Sequence, residues 1–303
     1  MVLRSEFPNL PQSYRKLCFL RDLDEYESQK PYYISGPLPN DLADYRSNIQ
    51  YDLVNGVFIS NLRGHEKKLS LEKHGFQIIE VSEAIGSLDV QGQERNEYIE
   101  KMADLLKERL HADLVLCYNY KFRSSDANPQ DTRKSSSVGT EGSPDAPAEV
   151  AHIDHTPAGA QRRGRRHLTA AEGEKYLNDH WRMRIVNIWK PLETVNDYDL
   201  LYCDLSTVQS NDLVAVDRVS SEYVGEVYML KPNDNYDWYW LDHQKPNEVS
   251  LFMSYDSALH STAPYCPHAS AKRLNETGPG VPRKSIELRM LVFTPTEPLS
   301  NTM

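Results

Sequence analysis

The sequence predicts a mainly β fold with flanking α-helices, arranged as a sandwich or a barrel. After residue 182, β-prone segments recur at short intervals and few helical stretches separate them. That spacing is typical of sandwiches and barrels, whereas a parallel sheet alternates its strands with helices. The chain contains no internal repeat and no glycine-rich phosphate loop. Its 303 residues, 39% of them hydrophobic, suffice for one large core, so we assign residues 1–303 to one domain.

The first half of the chain has three segments with clear local signals. Residues 51–60 (YDLVNGVFIS) are strand-like, and the Asn-Gly at 55–56 predicts a turn between two strand pieces. Residues 74–82 (HGFQIIEVS) predict a further strand. Residues 93–112 carry apolar side chains at helical spacing, which predicts an amphipathic helix.

The composition changes sharply in the middle of the chain. Residues 113–122 (DLVLCYNYKF) predict a strand, whereas residues 124–149 lack aromatic residues and are dense in Ser, Pro, Asp and Gly. Strand-like segments flank this stretch, so we interpret it as a mobile loop or lid within one domain. Residues 169–181 then predict a helix, and residues 182–192 (RMRIVNIWKPL) begin the β-rich half.

The charge balance restricts the classes of partner. Lys+Arg 34 against Asp+Glu 44 gives a net charge of −10, which disfavours nucleic acid and anionic membranes as partners. One basic segment stands out, which we interpret as a solvated loop or as the entrance for an anionic substrate: Arg162, Arg163, Arg165, Arg166 and His167.

The remaining composition favours an ordinary cytoplasmic protein. The four cysteines are far apart and form no CxxC pair, which disfavours structural zinc and a disulfide scaffold. No apolar run approaches the ~20 residues that span a bilayer. The termini carry no recognisable targeting signal, so we expect a cytoplasmic location without membrane attachment.

The sharpest local pattern is His152-x-Asp154, in AHIDHTPAGA (151–160). Residues i and i+2 of a strand share a face, so this imidazole and this carboxylate can chelate one metal ion. A third ligand from a distant strand would complete a two-histidine, one-carboxylate set with open positions, as O₂ and a cosubstrate require. His155 is a further candidate, either as a ligand or as a group that supports one. Taken alone, the pattern is weak, because a His-x-Asp also occurs by chance in surface turns.

Two later histidines are candidates for the third ligand: His260 in YDSALHSTAPY and His268 in YCPHASAK. Downstream, residues 282–293 (PRKSIELRMLVF) predict a strand, and alternation puts Arg289 on one face with Glu287, Leu291 and Phe293. An arginine that faces an apolar interior is costly unless it meets an anion, and its planar fork suits a carboxylate. The alternative is an ordinary salt bridge to a glutamate of the same sheet.

Several blocks of this sequence together resemble the fungal and bacterial hydroxylase/desaturase family that includes gibberellin desaturase-like proteins and the cephamycin methoxylation component. They extend over most of the chain and are specific as a set, at residues 61–80, 151–160, 184–208, 224–257, 267–271 and 282–293.

The resemblance implies an iron(II)/2-oxoglutarate oxygenase of the double-stranded β-helix fold, a jelly-roll or cupin-like barrel. Position by position, it implies His152, Asp154 and His268 as metal ligands, with His260 as the alternative, and Arg289 as the anchor of 2-oxoglutarate. The implied cofactors are Fe(II), 2-oxoglutarate as cosubstrate and O₂, which would oxidise a small molecule of specialised metabolism by hydroxylation, desaturation or cyclisation. Many related oxygenases have an Arg-x-Ser pattern, but Leu291 occupies the second position here, so the second donor to the cosubstrate is unidentified.

Four other residues are candidates for substrate contacts. Asn187 and Trp189 share a strand face and would line the pocket, although a tryptophan such as Trp189 is more often a core residue. Arg123 would hold a substrate carboxylate or cap its strand in solvent. Tyr255 would donate a hydrogen bond near the metal or pack in the core.

Two other functions would use the same residues. A zinc-dependent hydrolase predicts activity without O₂ or 2-oxoglutarate, and it leaves Arg289 unexplained. A non-catalytic cupin-like binding protein predicts that Asp154→Ala has no consequence beyond loss of metal. The acidic, aromatic-rich composition permits a homodimer.

Overall fold

Two β-sheets carry most of the secondary structure in the computed structural model, which describes residues 3–36, 38–127, 144–274 and 281–296. The larger sheet has nine strands, in the spatial order β1 (Gln12–Leu20), β3 (Tyr51–Asn61), β11 (Trp238–Trp240), β8 (Tyr198–Cys203), β13 (His268–Lys272), β6 (His152–Ile153), β10 (Val224–Leu230), β9 (Leu213–Val219) and β2 (Tyr32–Ile34). The smaller sheet has five, in the order β4 (Phe76–Glu80), β12 (Glu248–Asp256), β7 (Trp181–Pro191), β14 (Lys284–Pro295) and β5 (Leu114–Ser124).

Short helices connect and flank these sheets. The α-helices are α1 (Leu3–Glu6), α2 (Glu25–Ser28), α3 (Leu71–His74), α4 (Glu83–Gly86), α5 (Arg95–Arg109), α6 (Pro157–His167) and α7 (Ala170–Tyr176). The 3₁₀ turns are Asn40–Tyr45, Glu66–Lys68, Leu205–Thr207 and Ser210–Asp212. No helix of the described ranges is long and apolar enough to cross a membrane.

The five-stranded sheet is buried on both faces. Its outer face packs against α5, whose side chains Tyr98, Met102 and Leu106 are fully buried against the sheet. Fully burying one side chain of this kind stabilises the fold by about 1.5–3 kcal/mol. Because side chains alternate along a strand, the opposite face of β14 turns inward, with Glu287, Arg289, Leu291 and Phe293. The predicted shared face of these four residues is therefore confirmed.

The inner faces of the two sheets meet in a common core. Tyr202 of β8 stacks on Phe76 of β4 with ring centroids 4.5 Å apart, and its hydroxyl donates to Ser250 Oγ of β12 at 2.6 Å. Two facing, mostly antiparallel sheets with few helices form the arrangement of a jelly roll. This confirms the predicted fold class, a mainly β barrel with flanking helices.

The predicted turn at residues 55–56 is wrong. Residues 51–61 form the single strand β3, and Asn55 and Gly56 lie opposite Lys16 alone as a β-bulge against β1. Gly56 has φ +72°, a conformation that suits a turn and a bulge equally. The strand therefore continues because β1 pairs with it on both sides of the bulge.

The other segments differ from their predictions mainly at the ends. The helix predicted at 93–112 is α5, and the helix predicted at 169–181 ends at Tyr176, because Trp181 already belongs to β7. A capping box at Thr169 and Glu172 fixes the start of α7. Residues 128–143 of the predicted lid at 124–149 lie outside the described residues, so the lid and the one-domain assignment stay predictions.

Candidate metal centre

Three of the predicted ligands meet on the inner face of the larger sheet. His152 of β6 and His268 of β13 are paired across antiparallel strands, and Asp154 follows directly after β6. The potential ligand atoms of His152, Asp154 and His268 all lie within 4.8 Å of one another. Nε2 of His152 is 3.7 Å from Asp154 Oδ1, and Nε2 of His268 is 4.0 Å from Asp154 Oδ2.

The backbone fixes the orientation of both imidazoles. Nδ1 of His152 donates to the carbonyl oxygen of Val150 at 2.7 Å, and Nδ1 of His268 donates to that of Cys266 at 3.0 Å. A carbonyl oxygen only accepts, so the proton of each neutral ring sits on Nδ1. The lone pair of each Nε2 is therefore free to bind a cation beside Asp154, as metal-binding histidines require.

The charges of the cluster favour the protonation state that binds a divalent metal. Burial, followed by the nearby His268, lowers the pKa of His152 from 6.5 to about 4. Burial would raise the pKa of Asp154, but Arg289 and the two histidines outweigh it and hold that pKa well below its usual range. A neutral His152 imidazole beside an ionised carboxylate need not lose a proton before a metal binds.

Two residues of the smaller sheet hold Asp154 from the other side. Asn187 of β7 and Arg289 of β14 are directly paired across their strands. Asn187 Nδ2 donates to Asp154 Oδ2, and Nη2 of Arg289 lies 3.3 Å from Asp154 Oδ1. Arg289 also lies 2.6 Å from the carboxylate of Glu287. Asp154 thus sits between the two sheets, with a histidine pair on one and an amide–guanidinium pair on the other.

The two other candidate histidines lie outside this cluster. His155 is buried, with Nδ1 2.8 Å from Ser254 Oγ and Nε2 3.4 Å from the Tyr118 hydroxyl. It supports the turn that carries Asp154. His260 is exposed after the end of β12.

The predicted substrate residues occupy different surroundings. Trp189 is buried among the core residues between the sheets, under the guanidinium of Arg283. Tyr255 is buried, and its hydroxyl accepts from Gln161 Nε2 at 3.4 Å. Arg123 does not cap its strand in solvent, since it lies 3.3 Å from Glu287 Oε2 and donates to the Ala146 carbonyl at 2.9 Å.

Sequence reasoning missed Arg283, the residue that precedes β14. Its side chain is 2% exposed. Nη1 donates to Ser270 Oγ at 3.1 Å and to the Tyr198 carbonyl at 3.3 Å, whereas Nε and Nη2 have no hydrogen-bond partner. It forms no ion pair with a carboxylate of the described part of the chain. Burial, and then Arg123, lowers its pKa from 12.5 to about 10. The only sequence signal was a Pro-Arg pair beside an exposed lysine.

The basic segment at 162–167 is not a loop but part of helix α6. Thr156 caps the helix by accepting from the Gly159 amide at 3.0 Å, and Pro157 occupies the first turn. The helix packs closely on β10 because Gly159 has no side chain: a Cβ there would lie 2.3 Å from the Glu226 carbonyl oxygen. The Thr-Pro signal was present, but the polarity of the segment concealed the helix.

Comparisons with known proteins agree with the fold. A model of the family described as an oxidoreductase/YMDC permease-like domain matches residues 17–293. The hydroxylase/desaturase efuI of Hormonema carpetanum is 31% identical over 253 residues, covering 78% of this chain and 83% of that protein. The Fe(II)/2-oxoglutarate-dependent dioxygenase nvfI of Aspergillus novofumigatus is 29% identical over 246 residues, covering 78% and 82%.

A further relative and a solved structure extend these similarities. The alpha-ketoglutarate-dependent dioxygenase tstK of Talaromyces stipitatus is 29% identical over 277 residues, covering 85% of this chain and 91% of that protein. The solved structure of the iron and alpha-ketoglutarate-dependent endoperoxidase NvfI superposes with a TM-score of 0.76 at 24% identity. It covers 94% of this chain and 99% of its own, which shows the same fold.

Proposed function

Because the chain belongs to the matched oxidoreductase family and, with its relatives, to the fungal hydroxylase/desaturase group of Fe(II)/2-oxoglutarate-dependent dioxygenases, we propose that His152, Asp154 and His268 bind its catalytic iron. One observation carries this assignment: two Nε2 lone pairs and one ionised carboxylate converge, while both Nδ1 atoms are tied to carbonyls. Two histidines and one carboxylate fit the donor set of non-haem iron(II) oxygenases.

The reaction is an iron(II)- and 2-oxoglutarate-dependent oxidation of a small molecule in secondary metabolism. When bound, iron, 2-oxoglutarate and O₂ supply the oxidising chemistry. The contribution of the chain is to position the reactants and to exclude water from the space between the sheets. Hydroxylation, desaturation and oxidative cyclisation all belong to this class. The zinc hydrolase and the non-catalytic binding protein find no support among the relatives.

Two arginines are candidates to bind the far carboxylate of 2-oxoglutarate. Arg289, implied by the family resemblance, already has two carboxylate neighbours, Asp154 and Glu287. The guanidinium of Arg283 forms no ion pair with a carboxylate of the described residues, and two of its nitrogens lack hydrogen-bond partners. The carboxylates of Asp197, Asp199 and Glu287 act on it only from a longer distance. A buried guanidinium with no carboxylate in contact and with unpaired nitrogens is unfavourable, so the surroundings of Arg283 favour an anionic ligand.

The position of Arg283 suits the far end of this diacid. Its partner Ser270 follows His268 by two residues on the same face of β13, roughly 6.5 Å further along the strand. Its aromatic neighbour Trp189 likewise follows Asn187 by two residues on β7. Arg283 therefore lies one layer beyond the iron ligands. We propose that Arg283, with Ser270, binds the far carboxylate, and that Arg289 orients Asp154 at the metal end.

An anaerobic titration tests the metal site. Apo-protein is titrated with iron(II) and 2-oxoglutarate while the visible metal-to-ligand charge-transfer band is recorded. We expect the band in the wild type and in the exposed control His260→Ala, and its loss in Asp154→Ala. Absence of the band from folded, iron-loaded wild type would overturn the proposed oxygenase site.

The same titration separates the two arginines. Pyruvate has the 2-oxo-acid end of 2-oxoglutarate but no second carboxylate, so it does not use a far anchor. We expect Arg283→Met to weaken 2-oxoglutarate binding by about 100-fold without changing pyruvate binding. Arg289→Met should weaken both. If Arg289→Met weakened the binding of 2-oxoglutarate but not of pyruvate, and Arg283→Met changed neither, Arg289 would be the residue that binds the far carboxylate. The cytoplasmic location and the homodimer stay predictions.

A further inference from the structure

Two further arginines, Arg163 and Arg218, lie beside the turn that carries Asp154. Arg163 projects from α6, and Arg218 belongs to β9, where it is paired directly with Gly225 of β10. Paired residues of neighbouring strands project their side chains on the same face. A Cβ at Gly225 would lie 3.9 Å from Nη2 of Arg163. Cε1 of Tyr223 would lie 3.2 Å from the same Cβ position. The absence of a side chain at Gly225 therefore lets Arg163 and the Tyr223 ring approach the face of the sheet that carries Arg218.

Neither arginine is neutralised by the described part of the chain. Arg162 and Arg166 of the same helix each lie 3.5 Å from a glutamate, Glu226 and Glu222 respectively. No such ion pair involves Arg163 or Arg218 among the described residues, and the Nε of Arg163 is buried without a hydrogen-bond partner. Burial lowers the pKa of Arg163, and the positive charges of Arg289 and Arg218 act in the same direction. Two nearby cations without a carboxylate form a site that an anion would stabilise.

Aromatic rings give this site an apolar wall. The guanidinium carbon of Arg163 lies 4.2 Å from the centroid of the Tyr223 ring and 5.3 Å from that of Tyr118. These contacts orient the planar group without supplying a negative charge. A planar guanidinium matches the two oxygens of a carboxylate, and the rings suit the hydrocarbon next to it.

The arginine pair is connected to the metal cluster through a short series of contacts. Tyr118, under Arg163, has its hydroxyl 3.4 Å from Nε2 of His155, and His155 is bonded to Asp154 in the chain. Helix α6, which carries Arg163, begins three residues after Asp154. A molecule held by the two arginines would therefore lie next to the iron ligands.

We propose that Arg163 and Arg218 bind a carboxylate of the substrate, so that this enzyme oxidises an organic acid whose remaining surface is largely apolar. This inference rests on the proposed function for the reaction, but the anion site can be tested separately. It does not involve Arg283, which lies beyond the metal ligands between the sheets.

The test compares three aromatic probes of one shape: 1-naphthoate, its neutral isostere 1-naphthamide, and 1-naphthyl phosphate. Binding to metal-free protein is followed by intrinsic fluorescence. We expect the wild type to bind naphthoate at least 10-fold more tightly than naphthamide. Arg163→Met and Arg218→Met should each reduce that ratio below about 3, whereas Arg165→Met, an exposed control on the same helix, should preserve it. Arg163→Lys keeps the charge but loses the fork, and we expect an intermediate ratio.

Several outcomes would overturn the proposal. Equal affinity of the wild type for naphthoate and naphthamide, or no binding of naphthoate at millimolar concentration, would reject the anion site. Unchanged ratios in the folded Arg163 and Arg218 variants would do the same. Tighter binding of naphthyl phosphate than of naphthoate would reject a carboxylate as the recognised group. The charge-transfer band, recorded on the same preparations, reports failure of the iron site independently.

Discussion

His152 and His268 face each other as directly paired residues of the antiparallel strands β6 and β13, with ring centroids 4.3 Å apart. The strands that carry them are separated by more than one hundred positions in the sequence. A shift of one residue in their register would turn one histidine to the opposite face of the sheet. The geometry of the proposed iron site therefore depends on the register of a β6 strand only two residues long.

Substitution of the two alternative histidines should distinguish them. His268→Ala removes an inward Nε2, so we expect Fe(II) affinity to fall by more than about 100-fold, since even the loss of a supporting hydrogen bond costs 10–100-fold. His260→Ala removes an exposed ring outside the cluster and should leave affinity unchanged. Anaerobic calorimetry with Fe(II) measures both. Equal losses in the two variants would contradict the assignment.

Among the carboxylates of the inner face, Glu287 should reduce the stability of the fold most when its charge is removed. It is buried and lies 3.3 Å from Arg123 and 2.6 Å from Arg289. Glu287→Gln leaves both cations without this charge, so we expect a loss of about 3–5 kcal/mol of unfolding free energy. Urea denaturation measures it.

The surface pair of Glu222 and Arg166 supplies the matched control for Glu287. Its atoms are 3.5 Å apart and the Glu222 side chain is 67% exposed, so Glu222→Gln should change stability by less than about 1 kcal/mol. Similar small effects in the two variants would show that Glu287 does not neutralise the two arginines.

Local signals predicted the regular elements, and long-range pairing decided the rest. The apolar spacing at 93–112 predicts α5 because a helix is formed by neighbours in the sequence. The glycine at position 56 predicts a positive φ correctly, yet whether it makes a turn or a bulge depends on β1. Helix α6 was missed because its buried contacts are made largely by glycines rather than by large apolar side chains.

The residues of the candidate site also divide into those that local sequence predicts and those that depend on long-range strand pairing. His152 and Asp154 are two positions apart, so strand alternation alone makes them candidates to chelate one metal ion. The residues alone did not separate His268 from His260, because the choice depends on the pairing of β13 with β6. Arg283 carried no local signal of burial, since its neighbour Lys284 is exposed. It is enclosed by residues that are distant in the sequence, among them Ser270, Trp189 and Tyr198.

The contact between α6 and β10 should tolerate no methyl group at Gly159. A Cβ there would lie 2.3 Å from the Glu226 carbonyl oxygen, so Gly159→Ala must displace the helix, at an expected cost of about 1–3 kcal/mol. Gly173 of α7 has no atom closer than 4.0 Å to its Cβ position. Gly173→Ala should therefore stabilise the protein by roughly 0.5–1 kcal/mol. Thermal unfolding of both variants measures the contrast, and a stabilised Gly159→Ala would refute the close packing.

His167, at the end of α6, should make stability depend on pH. Its ring packs on Tyr118 at 5.0 Å, and burial, followed by Arg163 and Arg166, lowers its pKa from 6.5 to about 4. As pH falls below about 6.5, His167 becomes protonated in the unfolded chain, whereas in the folded chain it becomes protonated only near pH 4. Stability is therefore lost across this interval and changes no further below it.

Replacing His167 with glutamine should flatten the pH dependence. The wild type should lose on the order of 1–2 kcal/mol more than His167→Gln between pH 7 and pH 4.5, after allowance for the partial exposure of the ring. His260→Gln removes an exposed histidine and should follow the wild-type curve. Urea denaturation at a series of pH values measures all three. Parallel curves for the wild type and His167→Gln would mean that the folded protein accepts the His167 proton as readily as the unfolded chain does.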